Sequence, residues 1–337
     1  MLALRKESND AWDLRITEVE VPDLRPGEVL LESQAIGLCG SDVHAARSDE
    51  GYEWLKPPIV LGHEVTGTIV KSGDGNTHLI GRRAAVIAID GCGDCEVCDG
   101  GNTNYCSTRN CVGIHSDGGL ATYLRIEADR LFILPQDCAL EPTLAALLEP
   151  AAIAIQAVSR LEMDLQGKSV GVSGPGAIGI FSGLVLLRAG ARVQMHGPAQ
   201  GAEARMLFAK EVGMQIGDLG DEYTADAWVE ASGAPAALNS ALERLRLNAR
   251  IVVPAMFPNI SGITMTHIVR KGLTLSGTYG YVRADFVEAH RLIHDYQDEL
   301  RRMITVFSFG DVVEALELTS RAELIKAVIV QEKDCIK

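Results

Sequence analysis

The chain has 337 residues, enough for two domains that each bury a hydrophobic core. Its 45 acidic residues outnumber its 31 basic residues, and the net charge of −14 argues against nucleic acid and anionic membranes as partners, because both are bound through clustered cations. The longest apolar candidate for a membrane span, residues 178–187, is too short and is interrupted by Ser182 and Gly183.

The amino-terminal residues contain no apolar run of the kind found in signal peptides. We therefore expect a cytoplasmic protein. In that compartment its eight cysteines are expected to be thiols or metal ligands rather than disulfides.

Short runs typical of β-strands occupy the first part of the chain. Residues 14–16, 19–21 and 28–33 are strand-like, with turn residues between them. They predict a small β-rich domain, partly closed into a barrel. Cys39 follows at a turn flanked by glycines, a position where a side chain can point into a cleft.

Three side chains at and after this turn are of types that bind Zn²⁺: the thiol of Cys39, the imidazole of His63 and the carboxylate of Glu64. A catalytic zinc takes three protein ligands and leaves one position open. The alternative is a buried cysteine and an unrelated His-Glu pair, and these residues alone do not decide. Ser41 and His44 could be a helix cap and a surface histidine, or they could relay the proton that an alcohol loses before it gives up a hydride.

The four cysteines between residues 90 and 110 are the most specific motif in the chain. They are Cys92, Cys95, Cys98 and Cys106. Two-residue spacers let successive sulfurs face one ion, and four thiolates close a tetrahedral site. The bacterial iron–sulfur run has its fourth cysteine after three residues and then a proline, whereas here seven residues intervene and Ser107 follows. The spacing therefore favours a structural zinc that holds a loop together.

Further motifs accompany these residues. They are Cys39-Gly-Ser-Asp, Gly62-His63-Glu64, the four-cysteine segment, Asp117-Gly-Gly-Leu-Ala-Thr-Tyr123 and Leu148-Glu149-Pro150. Together they resemble the zinc-containing medium-chain dehydrogenase/reductase family, in the branch that includes sorbitol and threonine dehydrogenases. The resemblance extends over nearly the whole chain.

This resemblance implies an α/β protein with a GroES-like β-rich catalytic domain, which carries a structural zinc lobe, and a Rossmann domain built on a doubly wound parallel sheet. It implies that Cys39, His63 and Glu64 bind the catalytic zinc, and that Glu149 is either a further ligand or the partner of a bound water. Two Zn²⁺ per chain are then expected. One thiolate and one carboxylate neutralise the ion and leave it acidic enough to lower the pKa of a bound alcohol.

A glycine fingerprint begins the second half of the chain. Residues 168–173 predict a buried strand, and the fingerprint that follows opens an apolar helix; its residues are Gly174, Pro175, Gly176, Ala177, Ile178 and Gly179. In this context the glycines allow a tight turn and close approach to a pyrophosphate, and the helix amino terminus favours the anion. The segment therefore predicts a nicotinamide dinucleotide, NAD or NADP.

The next predicted strand covers residues 191–196 and is followed by Gly197. At this position NAD-binding proteins place an acidic residue that binds the ribose 2′-hydroxyl. The missing carboxylate removes repulsion against a 2′-phosphate, and Arg192 or Arg205 could reach one. The alternative is a looser adenosine pocket that still takes NAD. We lean slightly towards NADP.

Later strands complete the predicted dinucleotide-binding domain. Ser232 is assigned to the ligand edge of the strand over residues 226–233, and Met256 to the end of the strand over residues 250–256. Residues 284–300 and 312–318 then predict helices, and residues 326–330 predict a closing strand.

The predicted catalytic domain is therefore discontinuous. It covers residues 1–153 and 281–337, with the dinucleotide-binding domain over residues 154–280.

These predictions describe a zinc-dependent oxidoreductase that transfers a hydride between a secondary alcohol and NAD(P). The substrate is expected to be a polyol, sugar, aminocyclitol or hydroxy amino acid, or the corresponding ketone. Two alternatives remain: a zinc- and nucleotide-binding sensor or structural protein without catalysis, and an enoyl or quinone reductase on the same scaffold. A homodimer or homotetramer is expected from the resemblance and from the prevalence of symmetric oligomers.

Overall fold

The computed structural model describes residues 1–52, 54–198, 200–217, 223–257 and 262–331. The chain divides into two compact units. Unit 1 consists of residues Met1–Glu149 together with the return segment Val282–Lys337, and unit 2 consists of residues Pro150–Tyr281.

Unit 1 is built mainly from antiparallel strands. Its strands are β1 (Leu2–Lys6), β2 (Leu14–Glu18), β3 (Glu28–Gly37), β4 (Ile59–Val60), β5 (Glu64–Ser72), β6 (Arg83–Val86), β7 (Ile89–Asp90), β8 (Asn110–Cys111), β9 (Tyr123–Glu127), β10 (Leu131–Ile133), β17 (Ile304–Ser308) and β18 (Lys326–Val330). The larger sheet has the order β10-β6-β5-β3-β18-β17, with β9 also paired to β3. A smaller sheet has the order β2-β1-β4, and β7 pairs with β8.

The helices of the two segments of unit 1 are short. They are α1 (Gly40–Arg47), α2 (Glu96–Asp99), α3 (Pro142–Ala145), α9 (Asp285–Asp295), α10 (Gln297–Met303) and α11 (Val312–Ser320), while α4 (Leu148–Ser159) begins in unit 1 and continues into unit 2. Buried side chains of the first segment, such as Leu31 and Ile69, share one hydrophobic core with Phe309, Leu316 and Ile329 of the return segment. The core of unit 1 therefore needs both segments of the chain.

Unit 2 contains a six-stranded sheet in which every neighbouring pair is parallel. Its elements are β11 (Ser169–Ser173), α5 (Ala177–Arg188), β12 (Arg192–His196), α6 (Glu203–Glu211), β13 (Gln215–Gly217), β14 (Ala225–Glu230), α7 (Pro235–Arg244), β15 (Leu245–Val253), α8 (Met265–Lys271) and β16 (Thr274–Gly277). The strand order is β13-β12-β11-β14-β15-β16. The order reverses beside β11, where a doubly wound sheet binds its ligand. The predicted Rossmann sheet is confirmed.

Two local predictions were wrong. Residues 19–21 do not form a strand: β2 ends at Glu18, where the antiparallel ladder reaches the start of β1. The helix predicted over residues 284–300 is two helices, α9 and α10, because Tyr296 leaves the helical backbone at φ −116° and ψ 21°. The apolar periodicity continues through this break, so the pattern did not reveal it.

The longest apolar candidate for a membrane span is not residues 178–187, as the sequence analysis expected. Residues Pro142–Ser159, an 18-residue window with a mean hydropathy of 1.3, have the length and composition of a membrane span, and 72% of this window is buried inside the protein. Such burial is typical of a core helix, so the stretch is explained by packing and gives no support for a membrane partner.

Candidate active site

Helix α1 presents the first candidate ligand at its amino terminus. Cys39 occupies the N-cap position, and its backbone N–H donates to Asp42 Oδ2 at 2.9 Å, in a reciprocal capping box. Ser41 therefore lies inside the first turn of the helix, and the alternative that it caps the helix is wrong. The cap fixes the direction in which Cys39 enters the site.

The structure brings Cys39, His63 and Glu64 together. One ligand atom from each lies within 4.8 Å of the others, and both His63 and Glu64 are buried. A sulfur, a nitrogen and a carboxylate oxygen in this arrangement fit the donor set of a zinc ion, whose bonds of roughly 2.0–2.3 Å require only a small contraction. Gly37 pairs with Glu64 across β3 and β5, and a β-carbon on Gly37 would lie 2.0 Å from Glu64 Oε2. Only glycine leaves room for this carboxylate.

Asp42 orients the imidazole of His63. Its Oδ1 lies 3.4 Å from His63 Nδ1 and also accepts a hydrogen bond from the backbone N–H of Gly62 at 3.3 Å. Burial alone would lower the pKa of His63, but the neighbouring Asp42 carboxylate raises it well above its ordinary value. With Nδ1 directed at Asp42, Nε2 is the atom available to a metal. Asp42 is the last residue of the Cys39-Gly-Ser-Asp motif, but the motif alone indicated no role for its carboxylate.

Lys326 pairs with the Glu64 carboxylate in the interior of unit 1. Its ammonium group donates to Glu64 Oε1 at 2.5 Å and to the carbonyl oxygen of Leu38 at 2.9 Å, and it also contacts Glu64 Oε2. Lys326 is 3% exposed, so the pair is shielded from water. Burial alone would lower the pKa of Lys326, but the Glu64 carboxylate raises it, with further contributions from Cys39 and Glu149. No sequence pattern pointed to Lys326, because it begins a strand that is recognised only from its apolar residues.

The two proposed relay residues lie in α1. Ser41 Oγ is 3.3 Å from His63 Nε2, so the hydroxyl lies at the edge of the candidate metal site. His44 Nδ1 is 2.7 Å from Asp49 Oδ2, and the His44 side chain is 45% exposed. The site thus contains one hydroxyl near the ligands and one imidazole that is open to solvent.

Glu149 lies in the first turn of α4 and is 2% exposed. Its charge acts on Lys326, and it also acts on the buried thiol of Cys111, whose pKa is raised to about 12 mainly by burial. The structure thus places a second buried carboxylate within electrostatic range of the group that pairs with Glu64.

The four cysteines of the lobe converge on one point. The sulfur of Cys106 is 3.6 Å from that of Cys92 and 3.9 Å from that of Cys95, and the sulfurs of Cys92 and Cys98 are 4.0 Å apart. A tetrahedral zinc with Zn–S bonds of about 2.3 Å requires sulfurs roughly 3.8 Å apart. Hydrogen bonds from Thr108 and from backbone N–H groups lower the pKa of Cys106 to about 6, which favours the thiolate. The β7–β8 pair forms the base of this loop.

The glycine fingerprint of unit 2 shows the close packing that dinucleotide loops require. Gly174 has φ +93°, and a β-carbon there would lie 2.8 Å from the backbone of Ser232. A β-carbon on Gly179 would lie 1.9 Å from the carbonyl oxygen of Gly174, and Gly176 caps α5 with open space around it. Neither Gly174 nor Gly179 could therefore carry a side chain without displacing the turn.

Glu230 supports this edge of the sheet and was missed by the sequence analysis. This buried carboxylate at the end of β14 accepts hydrogen bonds from the N–H groups of Ser232 and Gly233, at 2.8 Å and 3.1 Å, and from the Ser232 hydroxyl at 2.5 Å. A β-carbon on Gly233 would lie 2.7 Å from the carbonyl oxygen of Met256. The predicted residues Ser232 and Met256 are therefore brought together at the carboxyl ends of β14 and β15.

The residues predicted to bind the adenosine end of the dinucleotide do not all lie at the ligand edge of the sheet. Gly197 follows β12 and packs beside Met206 and Pro175, and Arg205 lies half-buried in α6. Arg192, in contrast, begins β12 and donates to Ser169 Oγ at 3.3 Å, so it lies at the amino end of the strand, away from the ligand edge. Arg205 is the candidate that remains.

Three comparisons relate the chain to known proteins. Residues 25–136 match the alcohol dehydrogenase GroES-like domain family. An L-threonine 3-dehydrogenase of Vibrio parahaemolyticus is 31% identical over 294 residues, which cover 83% of each chain. The structure of the alcohol dehydrogenase rspB of Escherichia coli CFT073, complexed with NADH, has a TM-score of 0.85 and 26% identity, covering 98% of this chain and 99% of the other. A zinc-binding dehydrogenase of Sinorhizobium meliloti bound to NADP shares the fold, with a TM-score of 0.87 at 24% identity over 98% of both chains.

The fold, the ligand set and these similarities define a zinc-dependent alcohol oxidoreductase that uses a nicotinamide dinucleotide and acts on a small-molecule substrate. The chain belongs to the zinc-containing medium-chain dehydrogenase/reductase family, in its threonine and sorbitol dehydrogenase branch. The GroES-like fold predicted for the β-rich part of the chain is confirmed. The alternatives of a non-catalytic sensor and an enoyl or quinone reductase are not favoured.

Replacing Lys326 by methionine tests the buried ion pair. In the metal-free protein the change leaves the Glu64 carboxylate buried without its cation, and we expect a loss of about 3–5 kcal/mol in the free energy of unfolding by urea. Lys71→Met, an exposed change on the same strand as Glu64, should alter it by less than about 0.5 kcal/mol. Equal effects of the two substitutions would show that the pair does not contribute as described.

Proposed function

We propose that Cys39, His63 and Glu64 bind the catalytic zinc and that the enzyme oxidises a secondary alcohol bearing further polar groups. The observation that carries this proposal is the approach of the three ligand atoms to within 4.8 Å of one another, beside the Ser41 hydroxyl. Glu149 is proposed as the additional carboxylate, either as a ligand or as the partner of a bound water. We also propose that unit 1 is the catalytic domain and unit 2 the dinucleotide-binding domain.

The zinc, when bound, lowers the pKa of the substrate hydroxyl. Ser41 Oγ accepts the hydroxyl proton and passes it on towards His44. Because His44 Nδ1 donates to the carboxylate of Asp49, Nε2 of the neutral ring is free to take a proton. The exposed side chain then releases this proton to solvent, which completes the path of the proton away from the reacting carbon.

For the substrate class we propose a polyol, sugar, aminocyclitol or 3-hydroxy amino acid. The similarity to an L-threonine 3-dehydrogenase supports a hydroxy amino acid. The cytoplasm remains our prediction for the location.

A pair of cysteine substitutions tests both proposed zinc sites. We expect two zinc ions per wild-type chain by plasma emission spectrometry. Cys39→Ala should remove one zinc and abolish turnover while leaving the thermal midpoint near that of the wild type. Cys92→Ser should remove the other zinc and lower the thermal midpoint, because four thiolates hold that loop together.

Full activity in Cys39→Ala would refute the catalytic assignment. A wild-type content of one zinc, still present in Cys39→Ala and lost in Cys92→Ser, would refute the catalytic site and leave the structural site standing.

We propose a slight preference for NADP over NAD. The end of β12 offers Gly197 in place of an acidic residue, and Arg205 lies in the following helix. Arg205→Ala should lower kcat/KM for NADP about tenfold more than for NAD, the effect expected when a charged hydrogen bond to a phosphate is lost. Arg192→Ala is the matched control, because Arg192 lies at the other end of β12. A wild-type enzyme that prefers NAD, unchanged by Arg205→Ala, would contradict the proposal.

We also propose a homo-oligomer of two or four chains. Among the described strands, β16 lies at the edge of the parallel sheet, and its Leu275 is 43% exposed. Met265 and Val269 of the preceding helix are 59% and 79% exposed. Exposed apolar side chains beside an open strand edge favour association with another chain. Sedimentation equilibrium should therefore give two or four times the chain mass of 36.2 kDa, and a value equal to that mass would rule the oligomer out.

A further inference from the structure

Glu230 lies where two neighbouring strands of unit 2 end side by side. It is the last residue of β14, and it pairs in parallel register with Ser173, the last residue of β11. The glycine fingerprint follows Ser173, and the turn of Ser232 and Gly233, which we call the edge turn, follows Glu230. The strand order reverses at β11 and β14, and doubly wound sheets bind dinucleotides at such a point. Glu230 therefore lies beside the predicted ligand edge.

One oxygen of Glu230 accepts all the hydrogen bonds that the edge turn donates to this carboxylate. Its Oε1 accepts the backbone N–H of Ser232 at 2.8 Å, the Ser232 hydroxyl at 2.5 Å and the backbone N–H of Gly233 at 3.1 Å. The Glu230 side chain is fully buried. Three donors that converge on one buried oxygen fix the conformation of the edge turn.

The carboxylate is itself held from the interior of unit 2. Trp228 Nε1 donates to Ser173 Oγ at 2.8 Å, which orients this hydroxyl beside Glu230. Burial raises the pKa of the Glu230 carboxyl group, and hydrogen bonds from the edge turn and from Ser173 partly counteract this increase. A buried polar group is stable only when it is hydrogen-bonded, so this network keeps the carboxylate in one position.

The edge turn packs tightly against the glycine fingerprint. A β-carbon on Gly174 would lie 2.8 Å from the Cα atom of Ser232. On the other side, a β-carbon on Gly233 would lie 2.7 Å from the carbonyl oxygen of Met256. A displacement of the edge turn would therefore alter the backbone surface next to the fingerprint.

We propose that Glu230 is a positioning residue for the dinucleotide, which acts through the edge turn. Its acceptor oxygen holds this turn against the fingerprint before the dinucleotide arrives, so less conformational freedom is lost on binding. The acceptor oxygen, rather than the negative charge, is what the edge turn requires. This inference rests on the proposed role of unit 2 as the dinucleotide-binding domain and deepens it.

The test is a fluorescence titration of the full-length, zinc-loaded enzyme with NADH and with NADPH, which measures Kd without a substrate. Glu230→Met keeps the length of the side chain but removes the acceptor. It should raise Kd for the better-bound dinucleotide about tenfold, because the edge turn loses the bonds that organise it. Glu230→Gln offers a carbonyl oxygen to the same donors, and its Kd should stay within about twofold of the wild-type value.

Asp226 provides the matched control on the same strand. It lies near the other end of β14, where its Oδ2 accepts the backbone N–H of Ser169 at 2.9 Å. Asp226→Leu therefore also removes a carboxylate acceptor from unit 2, but away from the ligand edge. Thermal midpoints should fall in both Asp226→Leu and Glu230→Met, whereas Kd should rise only in Glu230→Met. A role in stability alone would not separate the two variants.

Glu230→Asp keeps the inference testable if Glu230→Met does not fold. It retains the charge but withdraws the oxygen by one methylene group, and it should raise Kd about threefold. An unchanged Kd in the variant that folds, or a rise in Glu230→Gln or Asp226→Leu as large as in Glu230→Met, overturns the inference while the proposed role of unit 2 stands. A wild-type enzyme that binds neither NADH nor NADPH would instead refute that role.

Discussion

The ion pair between Glu64 and Lys326 is the constraint on which the site in unit 1 depends. Two charges removed from water are tolerated only when they are paired and hydrogen-bonded, and here the ammonium group satisfies both the carboxylate and the carbonyl oxygen of Leu38. The partners are 262 residues apart in the chain. The pair joins β5, from the first segment, to β18, from the return segment, immediately beside Cys39. The candidate metal site can therefore form only when the return segment has completed the sheet.

Asp42 also joins two segments of unit 1, which lie closer together in the chain than Glu64 and Lys326 do. One carboxylate accepts the N–H of Cys39, accepts the N–H of Gly62 and faces the imidazole of His63. The two chain segments that carry the thiol and the imidazole are thereby held to the same group. Hydrogen bonds of this kind fix ligand orientation before a metal arrives, which reduces the cost of organising the site.

The ligand edge of unit 2 is shaped mainly by glycines, whose lack of a side chain allows the backbone segments to approach one another closely. The distances from Gly174 to Ser232 and from Gly179 to Gly174 leave no space for a β-carbon, so the backbone itself forms the ligand edge. Glu230 then holds the neighbouring turn through the N–H groups of Ser232 and Gly233. Burial raises the pKa of this carboxyl group, and the hydrogen bonds from Ser232 and Gly233 partly counteract this increase. The edge is thus shaped by backbone contacts and one buried acid.

The sequence alone determined those features that depend on neighbouring residues. The spacing of four cysteines predicts a shared centre, and a glycine fingerprint between a strand and a helix predicts a dinucleotide turn, because ligand reach and backbone conformation are local properties. Tertiary structure decided what depends on residues far apart: that Lys326 pairs with Glu64, and that Asp42 faces the imidazole of His63. No local pattern encodes these partners, since each arises only when separate segments pack into one core. The end of helix α9 at Asp295 could not be predicted for a similar reason, because the apolar pattern records which face is buried and not where the backbone turns.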